Sequence, residues 1–144
     1  MNKAIHVAAA SGILAAVASL GVAIGQDQKS VMLVDSATAT YKPLKTGASR
    51  ATVWGDPEKG PHAAFTKFDA GANHALHTHT NDIRLVVLKG AYLYKPEKGS
   101  EKRVTAGQYL FIPGGDRHAS GGDAKEGALF YQESDGKFDL NFIK

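Results

Sequence analysis

The sequence predicts an all-β fold, a sandwich or barrel of short strands. Three observations carry this expectation. Turn signals built on glycine and proline recur along the chain at even spacing. Runs of β-branched, aromatic and aliphatic residues lie between them. No stretch beyond the N-terminal apolar run shows an amphipathic helical period of useful length.

The turn signals are Lys45-Thr46-Gly47, Gly55-Asp56-Pro57, Lys59-Gly60-Pro61, Asp69-Ala70-Gly71, Lys89-Gly90, Pro96-Glu97-Lys98-Gly99, Pro113-Gly114-Gly115, Gly121-Gly122 and Ser134-Asp135-Gly136. The β-type runs between them are Ala51–Trp54, Ala63–Phe68, Ile83–Leu88, Ala91–Tyr94, Tyr109–Ile112, Ala128–Gln132 and Phe138–Ile143. Spacing of this kind suits a two-sheet body. In the run Ile83–Leu88, apolar residues occupy both faces except at Arg84. This predicts a central strand buried on both sides, whose outer face packs on an N-terminal segment or another subunit.

The first 25 residues read separately. Lys3 follows Met1, an apolar run extends from Val7 to Ile24, and Ala23-Ile24-Gly25 puts small residues before the polar Gln26-Asp27-Gln28-Lys29. This is the layout of a secretory signal peptide cleaved near Gly25. A retained membrane anchor is the alternative, weakened by the many Ala and Gly residues of the run. The expectation is a signal peptide over residues 1–25, a single domain over 26–144, a periplasmic or secreted location, and no stable membrane insertion after cleavage.

Composition narrows the chemistry. A chain of 144 residues allows one domain large enough to bury a core without disulfides. It holds no cysteine, which excludes disulfide scaffolds, thiolate zinc sites, iron–sulfur clusters and cysteine nucleophiles. Seventeen Lys and Arg stand against fourteen Asp and Glu, and the basic residues are scattered with no dense run among aromatics. The chain is therefore not expected to bind nucleic acid. Neither a Ser–His–Asp arrangement nor a pair of catalytic carboxylates can be read from the sequence.

His77-Thr78-His79 is the most informative pair. Residues two apart on a strand share a face, so two imidazoles can reach one metal ion. Alone, the pattern fits two exposed polar residues better. Its context changes that reading. Gly71, five residues, His77-x-His79 and a closing Gly90 are followed by Gly107, five residues, Pro113-x-Gly115, two residues and His118. In this order and spacing the chain resembles the cupin superfamily, from about Ala63 to Gln132. The flanks Trp54-Gly55-Asp56-Pro57…Gly60-Pro61 and Lys137–Ile143 are similar to those of small exported single-domain cupin proteins of unassigned function.

The resemblance implies a double-stranded β-helix, a jelly-roll-type barrel, and a homodimer. It implies one divalent metal ion, iron, zinc, copper, manganese or nickel, held by His77, His79 and His118. Cupins usually add a glutamate ligand four residues after the second histidine and seven before the closing glycine; here that position is Ile83. Asp82 is adjacent, but strand parity points it the other way unless the loop from Thr80 bends. Three neutral imidazoles leave the ion its full charge and an open position. They do not select the metal. Two functions follow from the resemblance. One is a metal-dependent, dioxygenase-like enzyme acting on a small organic molecule. The other is a non-catalytic module that binds a metal or small ligand for sensing or storage.

The remaining residues have plainer expectations. His74 is read as a solvated loop residue, with a ligand or supporting role as the alternative, and His62 as surface. Arg84 is expected on the outer face, with pairing to Asp82 or capture of an anionic substrate as alternatives. Tyr92, Tyr94, Tyr109 and Tyr131 are read mainly as packing residues, and Tyr109 and Gln132 as candidates to line a cavity. Gly114 and Gly115 follow a proline and precede no helix, so they form a turn rather than a phosphate loop.

Overall fold

One long strand organises the molecule. The computed structural model describes residues 30–144, and Leu33–Lys144 forms one compact unit. The expected signal peptide lies outside the described residues. Ten strands follow in order: β1 (Lys42–Pro43), β2 (Ala48–Gly55), β3 (His62–Phe68), β4 (Asn73–Thr78), β5 (Ile83–Pro96), β6 (Lys102–Thr105), β7 (Tyr109–Ile112), β8 (His118–Gly122), β9 (Ala128–Ser134) and β10 (Asn141–Phe142). No helix among the described residues is long and apolar enough to cross a membrane.

β5 belongs to two sheets. Its first half lies between β9 and β7, in a front sheet ordered β1-β2-β3-β9-β5-β7. Its second half lies between β8 and β6, in a back sheet ordered β10-β4-β8-β5-β6. All pairs are antiparallel, and the strand that switches sheets closes the body into the expected double-stranded β-helix. The switch comes at Gly90, just after a bulge between Val87 and Lys89. Gly90 has φ +68°, and a Cβ there would collide with the carbonyl oxygen of Gly127. Lys89-Gly90 is thus a bend within one strand rather than the expected turn.

The core lies between the sheets. β9 alternates cleanly, with Ala128, Phe130, Gln132 and Ser134 buried between outward Leu129, Tyr131 and Glu133. Ile83, Leu85 and Val87 point inward from β5. Within one chain the opposite face of that run is partly open: Val86 is half-buried and Leu88 is exposed.

Other expected elements are corrected. β6 carries only one buried residue, Val104, so it lacks an apolar pattern. Gly121-Gly122 belongs to β8 rather than to a turn, and has no side chains to signal a strand. The run Phe138–Ile143 pairs only at Asn141–Phe142, against Thr78 and His77. The rest of it is a strap across the mouth of the barrel.

Candidate metal centre

Three histidines meet on the inner side of the back sheet. His77 sits near the end of β4, His79 one residue beyond it, and His118 opens β8 directly opposite His77. A ligand nitrogen from each lies within 4.8 Å of the other two. The ring centroids are 4.5 Å apart for His77 and His118, 4.9 Å for His77 and His79, and 5.4 Å for His79 and His118. All three side chains are buried.

Each ring is oriented through its Nδ1. His77 Nδ1 faces the Ala75 carbonyl at 2.7 Å, and His79 Nδ1 faces the Asp139 carbonyl at 2.6 Å. His118 Nδ1 lies 3.2 Å from the Asp116 carbonyl and 3.2 Å from the Asp116 carboxylate. An imidazole whose Nδ1–H donates to an oxygen keeps its lone pair on Nε2. Nε2 of His118 is fully buried and has no protein partner. Burial pushes all three imidazoles below their ordinary value, His79 to about 4, so they are neutral at pH 7. Neutral donors with a free Nε2 are what a divalent transition metal takes from histidine, so this donor set fits the ion.

The supporting contacts come from β5 and two loops. Tyr94 stacks on His118, with ring centroids 5.2 Å apart, and donates its hydroxyl to Asp116 at 2.7 Å. Burial and that carboxylate push the Tyr94 phenol up, so it stays a donor. The turn before β8 is locked onto the segment after β4: Gly115 N–H donates to the His79 carbonyl and Gly114 N–H to Asp82 Oδ1, both at 2.8 Å. A Cβ on Gly114 would stand 2.5 Å from the Thr80 carbonyl oxygen, so this approach requires glycine. The strap is fixed by Asp139, whose carboxylate accepts from Thr80 N–H and Oγ1. Burial raises the Asp139 carboxyl, but the Thr80 hydrogen bonds outweigh it and the net shift is downward.

Asp82 is occupied elsewhere. It accepts from Gly114 and pairs with Arg84 at 3.5 Å. Ile83 is buried and lines the central cavity, so the position where cupins place glutamate faces inward here with an apolar side chain. Among the described residues the cluster that could hold a metal is three histidines with no carboxylate.

The histidines His77 and His79 open onto a cavity of about 340 Å³ between the sheets. Its walls are mostly apolar, including Phe68, Leu85, Phe130 and Phe138, with no Asp or Glu among them. Gln132 lines it as expected. Tyr109 does not: it is 60% exposed on the outer face. Tyr131 also faces outward, with its hydroxyl donated to Glu133, whereas Tyr92 lines the cavity. Arg84 lies on the outer side and pairs with Asp82 and Asp135.

Two histidines are not where the sequence suggested. His74 is buried in β4, against the ring of Phe68 at 4.5 Å, because a bulge between His74 and His77 turns both inward although they are three residues apart. His62 is fully buried in β3, with Nδ1 held by the Gly60 and Gly136 carbonyls at 3.0 and 3.1 Å. Asp116, Asp139, Arg50 and Thr66 are site residues that sequence reasoning missed. Only Asp116 carries a signal, its place inside the second motif.

The sequence profile of the ChrR cupin-like domain matches residues 29–136. The chain belongs to this cupin family. Solved structures agree on the fold. The polyketide cyclase RemF of Streptomyces resistomycificus superposes with a TM-score of 0.68 at 13% identity, covering 80% of this chain and 87% of that one. KdgF from Halomonas sp. gives 0.58 at 22% identity, covering 74% and 94%. The Rhodobacter sphaeroides complex of SigE with the anti-sigma ChrR gives 0.57 at 17% identity, covering 70% of this chain and 51% of that one. No curated protein matches the chain.

Proposed function

We propose that this cupin is an exported metalloprotein that holds one divalent ion through Nε2 of His77, His79 and His118. We infer further that it acts on a small organic molecule in the adjoining cavity. The observation that carries this reading is the convergence of three Nδ1-anchored, neutral imidazoles, two of them, His77 and His79, on the wall of a mostly apolar cavity. When bound, the ion supplies Lewis-acid polarisation of a substrate oxygen or, as iron, oxygen activation of the dioxygenase type. The chain's own part is to fix the three rings through Ala75, Asp139 and Asp116. Its walls exclude water around Ile83, Leu85 and Phe130.

A second reading rests on what the cavity lacks. No carboxylate lines it, so no evident acid or base stands beside the metal. This favours a non-catalytic module that senses or stores a metal or small ligand, and the family's namesake, ChrR, is an anti-sigma factor.

The test is elemental analysis and oxygen uptake on the mature protein purified from the periplasm. About one equivalent of metal with conversion of a compound supports the enzyme. Retained metal with no turnover across a broad substrate screen supports the binding module. No metal after reconstitution with each candidate ion removes the metalloprotein reading. Recovery of the chain in the cytoplasm with residues 1–25 intact removes the export reading.

We also propose a homodimer built on the outer face of the front sheet. Phe65, Tyr131, Val86 and Tyr109 are register partners in one row across it, and Tyr109 and Phe111 are 60% and 47% exposed. Tyr109→Glu is expected to convert the dimer to a folded monomer, read by light scattering after size exclusion. A wild-type monomer, or a dimer that survives the substitution, removes this face as the interface.

A further inference from the structure

The cavity has a second polar wall, which the histidine centre does not use. Arg50 on β2, Thr66 on β3 and Gln132 on β9 line it from the front sheet, whereas the histidines come from the back sheet. Arg50 is the register partner of Thr66, and Gln132 lies two residues from Phe130, the other partner of Thr66. The three therefore form one patch.

Thr66 is 2% and Gln132 4% exposed, and Arg50 is half-buried. Each has a fully buried polar atom with no protein partner: Nε of Arg50, Oγ1 of Thr66 and Nε2 of Gln132. All three atoms carry a hydrogen to donate. Buried donors without acceptors are rare in folded proteins, and three together on a cavity wall imply an acceptor that belongs there. Arg50 makes no ion pair among the described residues; its guanidinium lies 4.0 Å from the centre of the Phe138 ring. Burial pushes it down to about 10, which still leaves it charged at neutral pH. Lys45 also lines the cavity but is exposed.

The geometry points to a small organic acid as the ligand, its carboxylate accepting from Arg50, Thr66 and Gln132 and its apolar body lying among Phe68, Leu85 and Phe130. One cation with two neutral donors matches a single negative charge better than the double charge of a phosphate ester. The mostly apolar walls match a hydrocarbon or aromatic body. This inference rests on the cavity being the ligand site of the proposed function, and it is independent of the metal.

The test is calorimetric titration of the mature protein after chelator treatment, and of a His77→Ala variant, with matched acid and amide pairs. Benzoate and benzamide, cinnamate and cinnamamide, and hexanoate and hexanamide span the shapes. At least one acid is expected to bind about tenfold or more tightly than its amide. Arg50→Met should reduce that preference to about twofold or less, and Arg50→Lys should restore part of it. If Arg50→Met fails to fold by circular dichroism, Thr66→Val serves instead, with an expected loss of roughly threefold in acid affinity and little change for the amide. No acid preference in any pair, or a preference that survives Arg50→Met, overturns the proposal. Because metal is absent from the titration, failure of the metal reading would leave the acid preference intact.

Discussion

Alanine at His118 is expected to lower metal affinity by at least about 100-fold. Loss of a group that merely orients a metal-bound histidine already costs roughly 10- to 100-fold, and His118 would remove a donor atom itself. Its Nε2 is buried without a partner, and its ring is fixed by Asp116 on one side and Tyr94 on the other. Three ligands cannot lose one and still enclose the ion on one face. The measurement is metal per chain after dialysis against a competing chelator. His62→Ala is the control, since His62 is equally buried but stands outside the cluster. It should lose stability and keep the metal. Unchanged metal content in His118→Ala would remove His118 from the site.

The clustering of the three histidines was legible through spacing read together with the resemblance to cupins, since the His77-x-His79 pair alone would not have singled them out. Two residues apart on a strand means one face, and the glycine–proline framework around His118 fixes where the chain turns. His74 was not legible, because a bulge reverses strand parity between it and His77 and leaves no compositional trace. Arg50 failed for a different reason. It falls just outside the expected run Ala51–Trp54, among scattered basic residues, and only the fold sets it opposite Thr66 on β3, with Gln132 one strand further on β9. Asp139 contributes its carbonyl, a group every residue has, so its role in orienting His79 is invisible to any reading of side chains. The switch of β5 between sheets was half legible. Gly90 marks a break in the pattern but reads as a turn, since a glycine at positive φ serves a bend and a hairpin alike. The outer face of β5 stays partly open within one chain, with Val86 half-buried and Leu88 exposed, and a second copy on the proposed dimer face would cover it.

Phe130→Ala is expected to destabilise the protein by about 3–5 kcal/mol, the usual cost of emptying a large aromatic site in a core. Phe130 is 1% exposed. Its ring meets Phe68 and Tyr92 edge-to-face, with centroids 5.0 and 5.2 Å apart, so one side chain joins β9 to β3 and to the sheet-switching β5. For a unit of this size the melting temperature should fall by roughly 10–20 °C. Phe111→Ala makes the contrast: Phe111 is 47% exposed on the outer face, and its loss should cost the monomer under about 1 kcal/mol. The measurement is urea or thermal unfolding of both variants beside the wild type. The site adds a second consequence. Phe130 lines the cavity from the front sheet, whereas the histidines stand on the back sheet. The folded variant should therefore bind metal normally and hold a ligand's apolar body more weakly. Equal losses for the two phenylalanines would mean that the core does not centre on β9.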